Sequence, residues 1–257
     1  GLSESLRRMH GNRICVDFGM RYGEPSIATG IENLMAKGIG KLLVLPLYPQ
    51  YSGPTTGSTY DAISANFMQR RWIPELRFVS SYHEHPAYIG AISAQITQHR
   101  ENYGESDILI FSYHGEPQSY KDGGDPYFSQ CHRTTDLVVK ELGLEDNEYL
   151  VTFQSRFGPR EWLQPYTDLT LKALPAKGVV SVQIICPGFS SDCLETLEEI
   201  DVENKEYFLN AGGKRYEYIK CLNGNPLHIS ALSELVLDQC LDWLAPAAHR
   251  SGKAGKV

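Results

Sequence analysis

The stretch that decides the fold is Asp107–His132, which reads DILIFSYHGEPQSYKDGGDPYFSQCH. It begins with the apolar run Ile108–Phe111, which has the length of one fully buried strand, and the run leads directly to His114. In open α/β sheets, ligands bind at the carboxyl ends of the strands. The pattern therefore places His114 where a binding site would lie, although a histidine at this point is also compatible with an ordinary loop.

The rest of the chain repeats this succession of a strand and a helix. The apolar runs predict strands over Arg13–Phe18, Lys41–Leu47, Leu76–Ser81, Asp107–Tyr113, Tyr149–Gln154, Val179–Cys186 and Tyr216–Leu222. The periodic segments predict helices over Pro25–Lys37, Thr55–Arg70, Pro86–Tyr103, Pro126–Leu142, Arg160–Leu174, Asp192–Asn210 and His228–Leu244. Seven such units favour parallel sheets covered by helices, either as one sheet or as two stacked halves.

Composition excludes several classes of protein. The chain has 257 residues, of which 42% are hydrophobic, so it can form one large domain or two small ones. Its net charge of −7 argues against a nucleic-acid partner. The six cysteines form no CxxC pair, which favours reduced thiols and a cytoplasmic location. No apolar run approaches the ~20 residues of a membrane span, which leaves only a peripheral membrane contact open. Residues 245–257 are small, basic and unpatterned, which predicts a disordered tail.

The loops after the predicted strands carry aromatic, cationic, imidazole and carboxylate groups. The most distinctive are PLYPQYSGPTTGST (46–59), FQSRFG (153–158) and CPGFSSDCLETLEEID (186–201). Because parallel strands end at the same edge of a sheet, we expect these loops to line one cleft. A cleft with these groups suits a large, flat, partly anionic ligand.

Three of these motifs also have a purely structural interpretation. The segment Thr55–Ser58 is either a helix cap or a nest of backbone N–H groups for an anion. Asp192 and Glu195 have the spacing of a capping box, in which Glu195 only returns to the backbone of Asp192. The acidic run that continues to Glu206 is either a solvated helix face or an approach path for a divalent cation. The chain has no GxGxxG and no GxxxxGK[ST] motif, so the main signals of dinucleotide and P-loop enzymes are missing.

Taken together, these motifs resemble the signature stretches of ferrochelatases. The resemblance rests on LYPQYSGPTTGS (47–58), FSYHGEPQSY (111–120), WLQPYTD (162–168), CPGFSSDCLETLEEID (186–201) and LNGNP (222–226), and it covers nearly the whole chain in order. It implies insertion of Fe²⁺ into protoporphyrin IX, the last step of protohaem synthesis. It also implies two similar Rossmann-like halves with parallel sheets and a cleft between them. The halves would be residues 1–85, completed by helix 228–244, and residues 86–227.

The resemblance also assigns roles to individual residues. His114 and Glu195 would be the catalytic pair, and imidazole and carboxylate are both acceptable ligands for Fe²⁺. A general base that titrates near neutral pH suits the removal of pyrrole protons. Which of the two takes protons and which handles metal stays open. The residues expected to contact the porphyrin are Arg21, Tyr22, Tyr48, Ser52, Trp162 and Phe189. Glu199 and Glu206 would extend a metal route from Glu195.

Three departures from the family pattern limit these expectations. Cys193 stands where many members have histidine, so a ligand at that position is either a thiol or absent. Some members bind a [2Fe–2S] cluster through cysteines in the 47–58 loop and the C-terminal tail, but here the loop position is Gly53 and no cysteine follows Cys240. No cluster and no tightly bound cofactor are therefore expected. The family also begins with a further strand–helix unit of ~30 residues or more, which predicts that this chain is N-terminally truncated.

Two other functions remain as alternatives. The first is a two-lobed tetrapyrrole carrier that binds porphyrin without turnover. The second is a sugar-phosphate enzyme that uses the backbone of Thr55–Ser58 as its phosphate site. The partners expected from the resemblance are a porphyrin and ferrous iron, and the oligomeric state is not predicted.

Overall fold

The structure, a computed structural model, describes residues 1–244 and is an α/β fold with two parallel sheets. The strands are β1 (Lys41–Val44), β2 (Glu75–Phe78), β3 (Ile108–His114), β4 (Tyr149–Gln154), β5 (Ser181–Ile185) and β6 (Arg215–Ile219). Strands β1 and β2 form one sheet, and the other four form a second sheet in the order β4-β3-β5-β6. Every pair is parallel, which confirms the predicted fold class.

Helices cover these sheets. They are α1 (Leu2–His10), α2 (Ile27–Ala36), α3 (Ser58–Met68), α4 (Pro86–Tyr103), α5 (Gln118–Asp122), α6 (Tyr127–Leu142), α7 (Thr167–Ala173), α8 (Lys205–Asn210) and α9 (Pro226–Leu244). Two π-helical segments, Gly53–Gly57 and Glu195–Asn204, precede α3 and α8. Within residues 1–244, none of the helices has both the length and the apolar character that crossing a membrane requires.

Strand β3 lies in the middle of the second sheet and fixes the position of its site. Leu109, Ile110 and Phe111 are completely buried because helices cover both faces of the sheet. A strand buried on both faces reads as a continuous apolar run, which is why the sequence predicted it well. At the end of β3 the chain leaves the core, and His114 is only half-buried there.

Two predicted elements differ from the structure. The predicted strand Arg13–Phe18 is wrong, because the 3₁₀ turn Gly11–Arg13 leads into a segment that pairs with no strand of residues 1–244. The predicted helix Arg160–Leu174 forms only as α7, over Thr167–Ala173. Proline disfavours helical backbone in the residue before it, and Pro165 lies in the middle of the predicted span. The segment before it instead pairs with the loop after β3, where the Leu163 N–H donates to the Glu116 carbonyl at 2.8 Å.

The acidic helix and two short helices also differ from their predictions. The span Asp192–Asn210 is a π-helix over Glu195–Asn204 that continues as α8, instead of one α-helix. A π-helix has wider turns than an α-helix, and the apolar spacing did not reveal this. Helices α1 and α5 were not predicted at all.

Helix α9 packs back onto the sheet of β1 and β2. Val236 and Cys240 of α9 form a buried cluster with Leu6 of α1. At the C-terminal end of the helix, Arg77 forms an ion pair with Asp242, and the indole N–H of Trp243 donates to Glu75 at 2.9 Å. The division of the chain at residue 85 stays a prediction, and the position of the two sheets on either side of it supports that division. The predicted tail 245–257 lies outside the described residues.

Candidate active-site cleft

A cleft of about 1540 Å³ lies where loops of both sheets come together. Its wall includes Tyr48 from the loop after β1, His114 from the end of β3, and Glu195 from the start of the π-helix. Residues from three of the loops singled out in the sequence therefore meet in one cavity. Arg21, Trp162 and Phe189 complete the set of predicted residues that line it.

The ring of His114 has a fixed tautomer. Its Nδ1 lies 2.6 Å from the carbonyl oxygen of Gly115. A carbonyl only accepts hydrogen bonds, so Nδ1 carries the proton and Nε2 keeps a free electron pair in the neutral ring. The ring also lies 6.4 Å, centroid to centroid, from Phe189. His114 therefore offers the cleft an acceptor for a proton or a ligand for a metal.

The carboxylate of Glu195 is held by Cys193. The Cys193 thiol donates to Glu195 Oε2 at 2.9 Å. This hydrogen bond, the backbone N–H of Glu195 itself and the nearby His114 imidazole lower the pKa of Glu195. Burial and the neighbouring carboxylate raise the pKa of the Cys193 thiol, so the thiol stays protonated as a donor. The arrangement keeps Glu195 ionised at neutral pH.

The capping box at Asp192 and Glu195 is absent. The N–H of Asp192 donates to Asn223 Oδ1 at 2.9 Å, and the N–H of Cys193 donates to Thr196 Oγ1 at 3.0 Å. The carboxylate of Asp192 instead accepts from the Tyr218 hydroxyl at 2.6 Å. Glu195 is thus not needed to cap the helix, and its carboxylate remains available to the cleft.

Aromatic side chains form part of the wall. The Trp162 ring is largely buried and packs at 5.3 Å, centroid to centroid, on Phe157. Its indole N–H donates to the Phe157 carbonyl at 3.0 Å, which fixes the plane of the ring. A planar ligand can stack on such surfaces.

Arg21 is one of the cationic side chains of the cleft wall, which also includes Arg13, Lys41 and Arg160. Its Nε donates to the carbonyl of Ser58 at 3.0 Å, and its guanidinium lies 4.7 Å from the centroid of the Tyr22 ring. No carboxylate of residues 1–244 forms an ion pair with it. Tyr22 itself is 74% exposed and lies beside the cleft rather than in its wall. Burial and the nearby Tyr22 raise the pKa of Tyr48, which therefore stays a neutral phenol.

Ser52 does not face the cleft, because Glu116 lies in front of it. Ser52 is completely buried and its hydroxyl donates to Glu116, which is 7% exposed and lines the cleft. Burial raises the pKa of Glu116 from 4.5 to about 7, with the Ser52 hydrogen bond opposing and the Asp125 charge adding to the rise. Sequence reasoning missed Glu116, since a carboxylate after HG looks like any solvated loop residue.

Glu199 and Glu206 do not line the cleft. Glu199 accepts from the backbone N–H of Ser155 at 2.7 Å and also from its hydroxyl. Ser155 has φ 64°, a left-handed conformation that costs a non-glycine residue roughly 1 kcal/mol or more. The Glu199 carboxylate holds that conformation, a role the sequence did not predict. Glu206 is exposed on α8.

The backbone of the Thr55–Ser58 segment has little capacity for an anion. The N–H groups of Thr55 and Gly57 both donate to the Ser52 carbonyl, at 3.3 and 3.0 Å. The N–H of Ser58 is directed back at carbonyls of the same turn. These N–H groups are used within the π-helical turn, and neither that turn nor α3 has a side-chain cap at its start, so the contacts support neither the anion nest nor the cap.

The cleft does not contain a preformed metal cage. Within residues 1–244 no group of three or more histidine, cysteine, aspartate and glutamate side chains is arranged to hold a metal ion. His114 and Glu195 can each offer one ligand atom.

Comparison with known proteins gives the family of this chain. The sequence profile of the ferrochelatase family matches residues 1–240. The chain belongs to the ferrochelatase family. This confirms the family expected from the motifs of the sequence.

Individual relatives agree with this assignment. A ferrochelatase of Pseudoalteromonas atlantica is 55% identical over 245 residues, which are 95% of this chain and 68% of that protein. Ferrochelatases of Idiomarina loihiensis and Hydrogenovibrio crunogenus are 54% and 53% identical, and the match covers 66% and 64% of their lengths. The chain thus spans about two thirds of the length of these ferrochelatases.

A solved structure supports the fold of this ferrochelatase-family chain. SirB from Bacillus subtilis, solved with Fe³⁺, superposes with a TM-score of 0.65 and covers 94% of this chain and 90% of SirB. The two sequences are only 13% identical, so the likeness concerns the fold alone.

Proposed function

We propose that this protein is a ferrochelatase that inserts Fe²⁺ into protoporphyrin IX to give protohaem. The observation that carries the proposal is the pair of His114 and Glu195 in one aromatic cleft. His114 offers a free Nε2 electron pair, and Glu195 offers a carboxylate that hydrogen bonding keeps ionised. Family membership and more than 50% identity to several ferrochelatases support the same reaction.

The chemistry of metal insertion requires two groups of this kind. Two pyrrole protons must leave the macrocycle, and the metal must exchange its water ligands for the ring nitrogens. In our proposal His114 Nε2 accepts a proton, because proton transfer needs a free electron pair directed at the substrate. Glu195 either accepts the second proton or passes iron to the ring, since carboxylate oxygen binds Fe²⁺ and releases it readily.

The aromatic wall and the cation would hold the macrocycle. Trp162 and Phe189 offer surfaces on which a flat ring stacks. Arg21 offers an unpaired guanidinium for a propionate, with Tyr48 beside it. Tyr22 would act through its contact with Arg21, and Ser52 through Glu116 rather than by direct contact with the ligand.

The acidic π-helix supplies a route for the metal in this proposal. Glu195, Glu199 and Glu206 follow one another from the cleft towards the surface of α8. Their negative potential would raise the local concentration of Fe²⁺. Glu199 also has a structural role at Ser155, so its part in the route depends on how much charge remains available.

The proposal also covers the location, the cofactors and the membrane contacts of the protein. All six cysteines are free thiols, which suits a reducing compartment such as the cytoplasm. Iron is a substrate in this proposal, and no tightly bound cofactor and no [2Fe–2S] cluster are expected. Exposed apolar side chains such as Phe18 and Leu194 near the cleft would allow a peripheral membrane contact.

A porphyrin carrier is the second candidate, because the aromatic wall alone would bind a macrocycle. The two are separated by anaerobic absorbance spectra of the protein with protoporphyrin IX and Fe²⁺ or Zn²⁺. We expect the spectrum of the metalloporphyrin to develop, and we expect His114→Ala to bind porphyrin with a Kd near that of the wild type while losing at least about 100-fold in kcat. Porphyrin binding without metal insertion by the wild type would support the carrier.

A further inference from the structure

Glu116 is a cleft residue that takes no part in the proton transfer and metal transfer proposed above. It follows His114 by two positions, lines the cleft and is 7% exposed. Its carboxyl group accepts from the Ser52 hydroxyl, and within residues 1–244 no lysine, arginine or histidine forms an ion pair with it. A second carboxylate, Asp125, lies close behind, with Oδ2 at 3.5 Å from Ser52 Oγ.

The backbone around Glu116 leaves its side chain little freedom to move away. A side chain added at Gly115 would place its Cβ 2.5 Å from the carbonyl oxygen of Gln154, so the loop runs tightly along β4. The Glu116 carbonyl accepts from the Leu163 N–H at 2.8 Å, and Pro117 is bridged to Trp162. The carboxyl group is therefore a fixed part of the wall.

The surroundings of Glu116 are largely aromatic, and within residues 1–244 the carboxyl group has no ion-pair partner. Pro117, Tyr120, Tyr127 and Trp162 line the same part of the cleft. Two donors near the carboxyl group are already used, since Ser52 Oγ donates to Glu116 and the Gly53 N–H donates to Asp125 at 2.7 Å. A carboxylate of the ligand placed here would meet the carboxyl oxygens of Glu116, which no cation of residues 1–244 neutralises.

We infer that Glu116 is a specificity-determining residue, which makes the cleft reject porphyrins that carry a carboxylate on every pyrrole ring. Coproporphyrin has a propionate on each of its four rings, so the ring that faces Glu116 always brings one. Protoporphyrin has propionates on two adjacent rings only, and it can turn a vinyl-bearing ring towards Glu116 and a propionate towards Arg21. Specificity then comes from a repulsive contact rather than from an added attraction. The inference rests on the proposed function, because it assumes that the ligand is a porphyrin.

The test measures the Kd of protoporphyrin IX and coproporphyrin III by quenching of protein fluorescence, without metal and at pH 8.5, where the carboxyl group of Glu116 is ionised because the pH lies above its raised pKa of about 7. We expect the wild type to bind protoporphyrin about tenfold more tightly or better, since like-charged groups brought together in an interface cost several kcal/mol. Glu116→Gln keeps an acceptor for Ser52 and should reduce the ratio of the two Kd values at least about fivefold, mainly through tighter coproporphyrin binding.

The matched control is Glu161→Gln, which removes the same charge from an exposed side chain of the neighbouring segment. It should leave the ratio unchanged. Asp125→Asn, which removes the carboxylate behind Ser52, should shift the ratio in the same direction as Glu116→Gln, and it serves if that variant fails to fold. An unchanged ratio in both Glu116→Gln and Asp125→Asn, or an equal shift in Glu161→Gln, would overturn the inference. If the wild type binds neither porphyrin, the proposed function itself fails, and this outcome differs from binding without discrimination.

Discussion

At the scale of single residues, the hydrogen bonds of the cleft decide which side chains are free to react. The Nδ1–H of His114 donates to the Gly115 carbonyl, and the carboxylate of Glu195 accepts a hydrogen bond from the Cys193 thiol. Both bonds are local, between residues one or two positions apart. These two hydrogen bonds are therefore built into the ends of the elements that carry the residues.

Glu195→Gln should separate catalysis from helix capping. Because Glu195 makes no capping bond to Asp192, the substitution should change the free energy of unfolding by no more than about 0.5 kcal/mol. Metal insertion should fall at least about 100-fold, since glutamine neither accepts a proton nor carries charge. Urea denaturation and the absorbance assay give the two values. Full activity in this variant would remove Glu195 from the mechanism.

Glu116 should make the stability of the protein depend on pH. Its pKa is raised from 4.5 to about 7 in the folded state. Between these values the unfolded chain loses the proton and the folded protein keeps it, so stability falls as the pH rises. Glutamine does not titrate, so the stability of Glu116→Gln lacks this dependence on pH. The free energy of unfolding of the variant, relative to that of the wild type, should therefore rise by up to about 3 kcal/mol from pH 4 to pH 8.

The gain is measured by urea denaturation of both proteins at the two pH values. Glu161→Gln, which changes an exposed carboxylate, should show the same difference from the wild type at pH 4 and pH 8. If Glu116→Gln behaved like this control, the burial of the carboxyl group would not be reflected in solution.

At the scale of elements, the π-helix determines which acidic residues serve the cleft and which serve the fold. It begins at Glu195, and Glu199 lies close to the strained Ser155. The adjacent α8 carries Glu206 at the surface. Within one acidic run, Glu195 is thus the proposed reactive group, Glu199 holds the backbone of Ser155, and Glu206 is a solvated charge.

The double variant Glu199→Gln/Glu206→Gln should raise the apparent KM for Fe²⁺ and leave that for porphyrin unchanged. Loss of two negative charges lowers the local cation concentration, an effect that is strongest at low salt. We expect about a threefold rise in metal KM at low ionic strength and none at high ionic strength. Steady-state kinetics at two salt concentrations measure this.

The control for the charge itself is Glu198→Gln/Glu203→Gln, which removes two exposed carboxylates of the same π-helix. It should have a smaller effect on the metal KM. Equal effects of the two double variants would mean that total charge, and not a defined route, attracts the metal.

The sequence predicted those elements whose periodicity reflects complete burial. Residues Ile108–Phe111 of β3 are all apolar because helices cover both faces of the strand. The segment Arg13–Phe18 also contains apolar residues, but within residues 1–244 it has no neighbouring strand to pair with, and pairing is a property of the whole sheet. For the site, His114 and Glu195 could be singled out by motif. The position of Glu116 in front of Ser52 depends on contacts between residues 64 positions apart, which no local pattern encodes.

At the scale of the whole molecule, helix α9 connects the two sheets. Leu232 and Leu235 belong to the largest buried cluster, together with Ile92 of α4, and Leu43 and Leu45 pack against it. At its C-terminal end the same helix contacts Glu75 and Arg77, which belong to β2. The sheet of β1 and β2 thus has part of its packing supplied from far along the chain.

Leu232→Ala should therefore destabilise the protein as a whole. Leu232 is 4% exposed, and removing a buried leucine side chain costs about 2–5 kcal/mol. Leu241→Ala, on the same helix but 60% exposed, should cost no more than about 0.5 kcal/mol. Urea denaturation followed by circular dichroism gives both values. A small loss in Leu232→Ala would show that α9 contributes little to the stability of the fold.

The ion pair between Arg77 and Asp242 has a consequence for the order in which the protein matures on the ribosome. The two residues are 165 positions apart. After Arg77 has been synthesised, the whole four-stranded sheet must be synthesised before Asp242 is added. The β1–β2 sheet therefore leaves the exit tunnel with an apolar surface that its final covering helix cannot yet reach. The four-stranded sheet can complete its folding in that interval, since domains generally fold as units during synthesis. Nascent chains that stop before α9 would expose this surface, and they would be the natural clients of chaperones.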